Sequence, residues 1–512
     1  MNSMSDLDSL FNNYNHLGFN NPYYFIDNFG KFRIYERFPE AIENFYRDRK
    51  LDYVSVVEFL NRNYMLADRT IVEELYHTPW MAKPNFSFDQ WINAPLPEHG
   101  NNLLPEEDIA LILFEKLCSE IENCIGSRKK IGVLLSGGMD SRMMAGALDY
   151  LIKTETIKNV EITALTWGNE GTRDVAYAYE IAKRLNWKWK CYRVSAKDLI
   201  NNIYETAQNG CEYSPIHLHA IPQIRDDNED LDIILAASYG DGMGRAEYFR
   251  WKIKNAPPLK DNVSNLSFLL SENIVKRSIP EVRKDIRAYH LLYATSNKIA
   301  QKERDFQLHY MRRMLNPCMN LLQTHKTTFY QVFTSPQVYE FIWGISIERR
   351  TDRIYEFMYN QFKTPLKDIP WSRTGRKYLQ TSGKSDNLLR DHHNYYHIIE
   401  HELLDEMEDM ISVSPIYNAN IFNRNSIRKL FDIIKDHPNY NINSLYLEKL
   451  IWLASLAKFI EIYDIHIPQS SSSIVSNKNI AIHKEYHMTA LKNRVKPYIK
   501  NILNKSWLPK IF

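Results

Sequence analysis

Apolar residues in the central part of this chain come in short runs set between amphipathic stretches. Ile131 to Leu135 shows no polar alternation, which predicts a parallel strand covered on both faces. Leu231 to Ala237 is a second buried-strand candidate, and Val160 to Thr166 and Trp187 to Val194 read as two more. Helical segments separate them. One runs from about Pro105 to Ile125, with a Glu106-Glu107-Asp108 first turn suited to the positive end of the helix dipole. Another passes through Met143 to Tyr150, with Met143, Met144, Ala147 and Leu148 on one side, and a third spans Arg173 to Leu185. Strands alternating with helices predict an α/β fold with a doubly wound parallel sheet that binds ligands at the carboxyl ends of its strands. From about residue 270 to 465 the pattern is mainly helical, without an internal repeat.

Three parts follow from this pattern: residues 1–102, 103–465 and 466–512. The first is rich in aromatic and turn residues and closes with the Pro-containing stretch Asn93 to Asn102, which reads as a linker. The last begins with the flexible composition of Pro468 to Ser473. Beyond it, Lys478 to Phe512 holds eight Lys or Arg against one Glu, with Val495, Tyr498, Ile499, Ile502, Leu503, Trp507 and Leu508 at helical spacing. A basic amphipathic tail with a Trp suits peripheral contact with an anionic membrane surface; a helix packed on its own domain is the competing reading.

Composition narrows the function classes. Hydrophobic residues make up 44% and charged residues 25%, ordinary values for a globular enzyme. The formal net charge of +2 argues against a dedicated nucleic-acid partner. Cys118, Cys124, Cys191, Cys211 and Cys318 are widely spaced and form no Cys-x-x-Cys pair, so they read as reduced core thiols. The polar, acidic start is unlike a signal peptide, and no run of about 18 apolar residues exists, so a cytoplasmic protein is expected.

Ser136-Gly-Gly-Met-Asp-Ser141 carries the most specific chemistry. It joins the Ile131–Leu135 strand to a helix, where orphan N–H groups and the macrodipole favour phosphate. Gly137 and Gly138 allow a tight turn with open backbone donors, and the Ser136 and Ser141 hydroxyls can add donors. Asp140 is a carboxylate among these groups. Beside polyphosphate it is repulsive unless a cation bridges the two, so ATP with Mg²⁺ is implied. A strand-to-helix turn that merely contains two glycines is the bland reading, and it leaves the other specified residues without explanation.

This turn resembles the pyrophosphate loop (PP-loop) of the N-type ATP pyrophosphatases, and the wider chain resembles the synthetase half of the asparagine synthetase family. The resemblance implies cleavage of ATP to AMP and pyrophosphate, an acyl-adenylate on a substrate carboxylate, and amide formation with an amine. The nucleotide set it implies is Leu135, Ser136, Gly137, Gly138, Met139, Asp140, Ser141 and Arg142 on the loop, Leu165 and Trp167 on the second strand, and Tyr239 and Gly240 further on. Ala237-Ser-Tyr-Gly-Asp-Gly-Met-Gly-Arg245 resembles the family's Ser-Gly-Asp-Gly-Ala-Asp-Glu turn, which makes Asp241 a magnesium ligand alongside Asp140. Within Ile369-Pro-Trp-Ser-Arg-Thr-Gly-Arg-Lys377, the residues Arg373, Arg376 and Lys377 are implied to stabilise charge at phosphorus. A solvated basic loop is the alternative for each of them alone.

Departures from the family narrow the expectation. Position 2 is Asn2, and no cysteine precedes Cys118. The glutaminase domain is therefore expected as a shortened α+β relic without its thiol nucleophile, Phe59 to Tyr76 resembling its closing part. Thr327 to Phe341 stands where the family carries Glu-x-Arg-x-Pro-Phe-Leu-Asp, which argues for a different acceptor. The expected enzyme is an ATP-dependent carbon–nitrogen ligase acting on a small-molecule or glycan carboxylate, a uronic-acid sugar first, with ammonia or an amine as second substrate. The runners-up are a non-catalytic nucleotide-binding scaffold, suggested by Gly244 and Arg245, and lasso-peptide-cyclase-like or ammonia-dependent asparagine synthetase-like enzymes.

Overall fold

The computed structural model describes residues 21–240, 259, 263, 265, 268–380, 382, 385–467, 486 and 488. The N-terminal part forms β1 (Tyr23–Ile26), β2 (Phe32–Tyr35) and β3 (Tyr76–His77), an antiparallel sheet ordered β2-β1-β3. It also holds α1 (Phe38–Glu43), α2 (Tyr53–Arg62) and the hairpin of β4 (Ala82–Pro84) and β5 (Trp91–Asn93). Asp52 starts α2 by accepting from the amides of Val54 and Ser55, a cap that satisfies two orphan donors.

The body is the parallel sheet expected from the apolar runs, with five strands where the runs marked four. Its strands are β6 (Lys130–Leu134), β7 (Glu161–Trp167), β8 (Lys188–Tyr192), β9 (Ile233–Ala236) and β10 (Thr328–Gln331), in the order β10-β9-β6-β7-β8. The chain therefore winds outward in both directions from β6, and the β6/β9 boundary is the switch point where such sheets bind ligands. Helices α3 (Glu106–Ile125), α4 (Met139–Lys153), α5 (Arg173–Arg184) and α6 (Ala196–Gln208) provide the covers. Ile131, Val133, Ala164 and Leu235 pack into one core with α3, α4 and α5. Leu134, Leu165, Ile234 and Ala236 face a second core.

That second core is shared with the N-terminal part. Phe38, Val56 and Phe59 join it beside the long helix α8 (Tyr440–Tyr463), and Phe59 stacks on Trp452 with centroids 4.1 Å apart. A buried ion network reinforces this contact: His77 Nε2 lies 2.7 Å from Glu212 Oε2, which also accepts from Arg313 at 3.0 Å. Burial alone would raise the Glu212 carboxyl, but His77 and Arg313 outweigh it and hold the group below its ordinary value. The stretch read as a linker is pinned to the body. Gly100 N and Asn102 N donate to the carbonyls of Trp343 and Gly344 at the end of α7 (Pro336–Gly344).

Two sequence expectations shift. The region after residue 270 is mainly helical, but it also supplies β10, which pairs in parallel with β9 from Thr328↔Ile233 to Gln331↔Ala236. Four residues are too short to show a strand period. The helix after the glycine turn begins at Met139, four residues before Met143, because Gly138 already takes the extended N-cap conformation. The tail and its membrane reading lie outside the described residues. Among those described, no helix is long and apolar enough to cross a membrane.

Gly146 lies where α4 meets Phe362, whose ring edge an added Cβ would overlap. Gly146→Ala is expected to lower stability by about 1–3 kcal/mol through overpacking, against a helix-propensity gain of about 1 kcal/mol. Urea denaturation reads the net effect; an unchanged or higher midpoint contradicts the packing argument.

Candidate functional site

The loop after β6 is held open at the sheet edge by its own hydroxyls. Leu135 N donates to Leu165 O at 2.9 Å and Thr166 Oγ1 to Leu135 O at 2.8 Å, so the chain leaves β6 fixed to β7. Ser136 N donates to Ser141 Oγ, Gly138 N to Ser136 Oγ, and the two hydroxyls lie 3.1 Å apart. The serines predicted as phosphate donors therefore also brace the turn. Asp140 falls in the first turn of α4, half-buried, where the unpaired amide ends of the helix gather. Met139 is fully buried, and its Sδ accepts from Tyr359 Oη.

Glycine is required at two positions by contact. A Cβ on Gly137 would lie 3.0 Å from Arg173 O and from Ser372 Cβ, and 3.1 Å from Asp174 Cα. A Cβ on Gly240 would lie 2.7 Å from Asp140 Cβ and 3.0 Å from Asp140 Oδ1. The turn after β9 thus closes directly on the Asp140 carboxylate, bringing together the two places singled out in the sequence. Asp241, with Gly242 to Arg245, lies outside the described residues. Ser238 N donates to Gln331 Oε1 at 3.1 Å, so the end of β10 holds this turn in place.

The basic segment docks against the same loop. Trp371 N donates to Arg376 O and Gly375 N to Trp371 O, closing a tight turn, and Ser372 N donates to Gly137 O at 3.2 Å. Gly375 takes φ +65°, and an added Cβ there would lie 2.7 Å from Arg173 Cζ, so the guanidinium of α5 packs on the turn. Arg173 Nε also donates to Asp386 Oδ1 at 2.9 Å. Arg373 and Lys377 are exposed and Arg376 is half-buried, with the Arg373 guanidinium 5.4 Å from the Trp371 ring centroid.

Three of the implied nucleotide residues are held in the packing around the loop. Arg142 is fully buried: Nη1 donates to Ile369 O at 2.7 Å, and Nη2 to Pro370 O at 2.8 Å and Gly137 O at 3.2 Å. It is a strut that ties the basic turn to the loop, since its two terminal nitrogens bond to main-chain carbonyls of both. Tyr239 is 1% exposed and belongs to the core, and burial raises its hydroxyl pKa well above the ordinary value. Leu165 is fully buried and gives its carbonyl to Leu135 N. Trp167, at the end of β7, remains half-buried beside the loop.

Residues that the sequence did not flag are Gln331, hidden in a strand too short to read, and Arg173, whose helix was expected but whose partner is distant in sequence. None of the five cysteines, all among the described residues, forms a disulfide; Cys118, Cys211 and Cys318 are buried, Cys191 is exposed rather than in the core expected for it, and burial pushes Cys118, Cys124 and Cys318 up to about 12. Residues 115–223 match the family described as asparagine synthase. The match spans a minority of the chain: it begins inside α3, covers β6, the glycine loop, β7 and β8, and stops before the turn after β9. It supports an ATP-dependent amide ligase family for this region, and the α/β architecture is consistent with that family's PP-loop fold. No curated protein matches the chain.

Two substitutions test this geometry. Gly240→Ala, which places a methyl group on the Asp140 carboxylate, is expected to weaken Mg·ATP binding at least about tenfold while the melting temperature holds, as read by calorimetry. Arg142→Met is expected to cost about 2–4 kcal/mol by stranding buried carbonyls. A urea midpoint equal to that of the parent would refute the strut.

Proposed function

We propose that the protein is an ATP-dependent, AMP- and pyrophosphate-forming amide ligase. One observation carries the reading: Asp140, the Gly240 backbone and the Arg373–Lys377 turn meet at the N-terminus of α4, at the switch point of a parallel sheet. Polyphosphate placed there meets helix-terminal amides. Magnesium held by Asp140, with Asp241 as the expected second ligand, would offset the charge of the leaving pyrophosphate. Arg373, Arg376 and Lys377 sit on the turn whose Ser372 N donates to Gly137 O and would stabilise that charge as it develops at phosphorus.

In this reading an oxygen of the substrate carboxylate attacks the α-phosphorus and pyrophosphate leaves. An amine nitrogen then attacks the acyl carbon and AMP departs. The divergent Thr327 to Phe341 stretch supports an acceptor other than aspartate. A uronic-acid sugar is the first carboxylate to test and a peptide carboxylate the second. Contact of the basic tail with a membrane, at the inner face, would suit a lipid-linked substrate.

The test is AMP formation, followed by mass spectrometry, when the pure protein meets ATP, Mg²⁺ and a metabolite extract. Asp140→Ala is expected to lower substrate-dependent pyrophosphate release by about 100-fold or more with an unchanged melting temperature. Release that persists in the pure variant rules the reading out.

A further inference from the structure

Besides the strut Arg142, a second arginine is buried at the glycine loop. Arg173 opens α5 and is only 9% exposed, whereas Arg373 and Lys377 on the basic turn are exposed. A cation withdrawn from water acts on a neighbouring anion far more strongly than a solvated one.

The position of Arg173 is fixed from both sides. Its N–H donates to Leu389 O at 2.9 Å, and its carbonyl faces the glycine loop, where a Cβ on Gly137 would lie 3.0 Å from Arg173 O. The guanidinium folds over Gly375, since a Cβ there would lie 2.7 Å from Cζ and 2.8 Å from Nη2. Gly375 belongs to the turn whose Ser372 N donates to Gly137 O. The side chain is thus enclosed between the glycine loop and the basic turn. Two helix N-termini converge on the same place, with Gly138 the N-cap of α4 and Thr172 the N-cap of α5, and both dipoles favour an anion there.

The protein uses one nitrogen of this guanidinium. Nε donates to Asp386 Oδ1 at 2.9 Å, an ion pair that offsets part of the cost of burying the cation. The same oxygen accepts from Leu388 N at 3.3 Å, so the carboxylate is itself held in place. Among the described residues neither Nη1 nor Nη2 of Arg173 donates a hydrogen bond. Those two nitrogens form the edge of parallel donors that matches two oxygens of a phosphate group. Arg142 offers no such edge, because both of its terminal nitrogens bond to carbonyls.

We infer that Arg173 is a pyrophosphate clamp, its Nη edge binding the β and γ phosphates of ATP and holding the pyrophosphate as it leaves. The inference rests on the ligase reading above and gives its site a buried, pre-oriented cation that the exposed residues of the basic turn do not supply. When the bond from the α-phosphorus to the bridging oxygen breaks, the electron pair goes to pyrophosphate. The guanidinium supplies charge and donors to that group and transfers no proton.

Magnesium pyrophosphate, Mg·ATP and AMP are the probes, titrated into the full chain by calorimetry. Arg173→Met is expected to weaken pyrophosphate and Mg·ATP about tenfold or more, and to leave AMP, which lacks the β and γ groups, within about twofold. Equal loss of all three ligands is the behaviour of a purely structural arginine and overturns the clamp. Should the Met variant not fold, Arg173→Lys keeps the charge beside Asp386, gives up the fork and is expected to weaken pyrophosphate about threefold or more. Parental affinity for pyrophosphate in either folded variant overturns the proposal. In the parent labelled with carbon-13 at arginine Cζ, the signal missing from Arg173→Lys is expected to shift with magnesium pyrophosphate. A shift with glucuronate instead assigns the edge to a substrate carboxylate and also overturns it. A parent chain that binds neither pyrophosphate nor Mg·ATP removes the ligase reading as well.

Discussion

The parallel pairing of β6 with β9, in the register Ile131↔Ile233 to Val133↔Leu235, is the constraint on which the site depends. Parallel neighbours end at the same edge, so the turns that follow them emerge side by side. One turn carries Asp140 and the other Gly240, and the gap between them leaves no space for a side chain at position 240. A slip of two residues along either strand would part the carboxylate from the turn that closes on it. The register is enforced by burial of both faces, where Val133 and Leu235 enter one core and Leu134 and Ile234 the other.

Around this junction the protein uses buried cations as connectors. Arg142 binds main-chain carbonyls of two segments more than two hundred residues apart in the chain and so fixes the basic turn to the glycine loop. Arg313 with Glu212 and His77 joins the N-terminal sheet to the body. Arg350 and His99 bind Glu303 where the strap from residue 93 to 102 crosses α7. For Glu303 too, burial acts to raise the carboxyl, and Arg350 and His99 bring it below its ordinary value. Such groups add little net stability compared with apolar packing, but each tolerates only one arrangement of its partners. They fix where parts sit relative to each other, which a ligand site between segments needs.

The N-terminal part gains a structural role from the same logic. Phe38, Val56 and Phe59 fill the core beneath β6 and β7 together with Trp452 of α8. This part thus builds the core against which Trp167 packs.

The sequence by itself determined four of the five strands of the sheet, the glycine turn after the first of them and the helix that follows it. Runs such as Ile131–Leu135 must be buried wherever they occur, and Ser-Gly-Gly-x-Asp-Ser has few other uses after a strand. It also indicated that the turn ending in Gly240 and the basic turn at 373–377 matter, because turn and charge composition are local properties. What only the tertiary structure decided is which groups meet. Gln331 supports the β9 turn through a four-residue strand with no readable period, and Arg142 turns inward because distant carbonyls need its donors. Arg173 lies between Gly137 and Gly375 and finds Asp386 more than two hundred residues further along the chain, because distant segments meet at one edge of a doubly wound sheet. Local pattern encodes burial and turn chemistry, whereas contact between segments hundreds of residues apart depends on the packing of the whole chain.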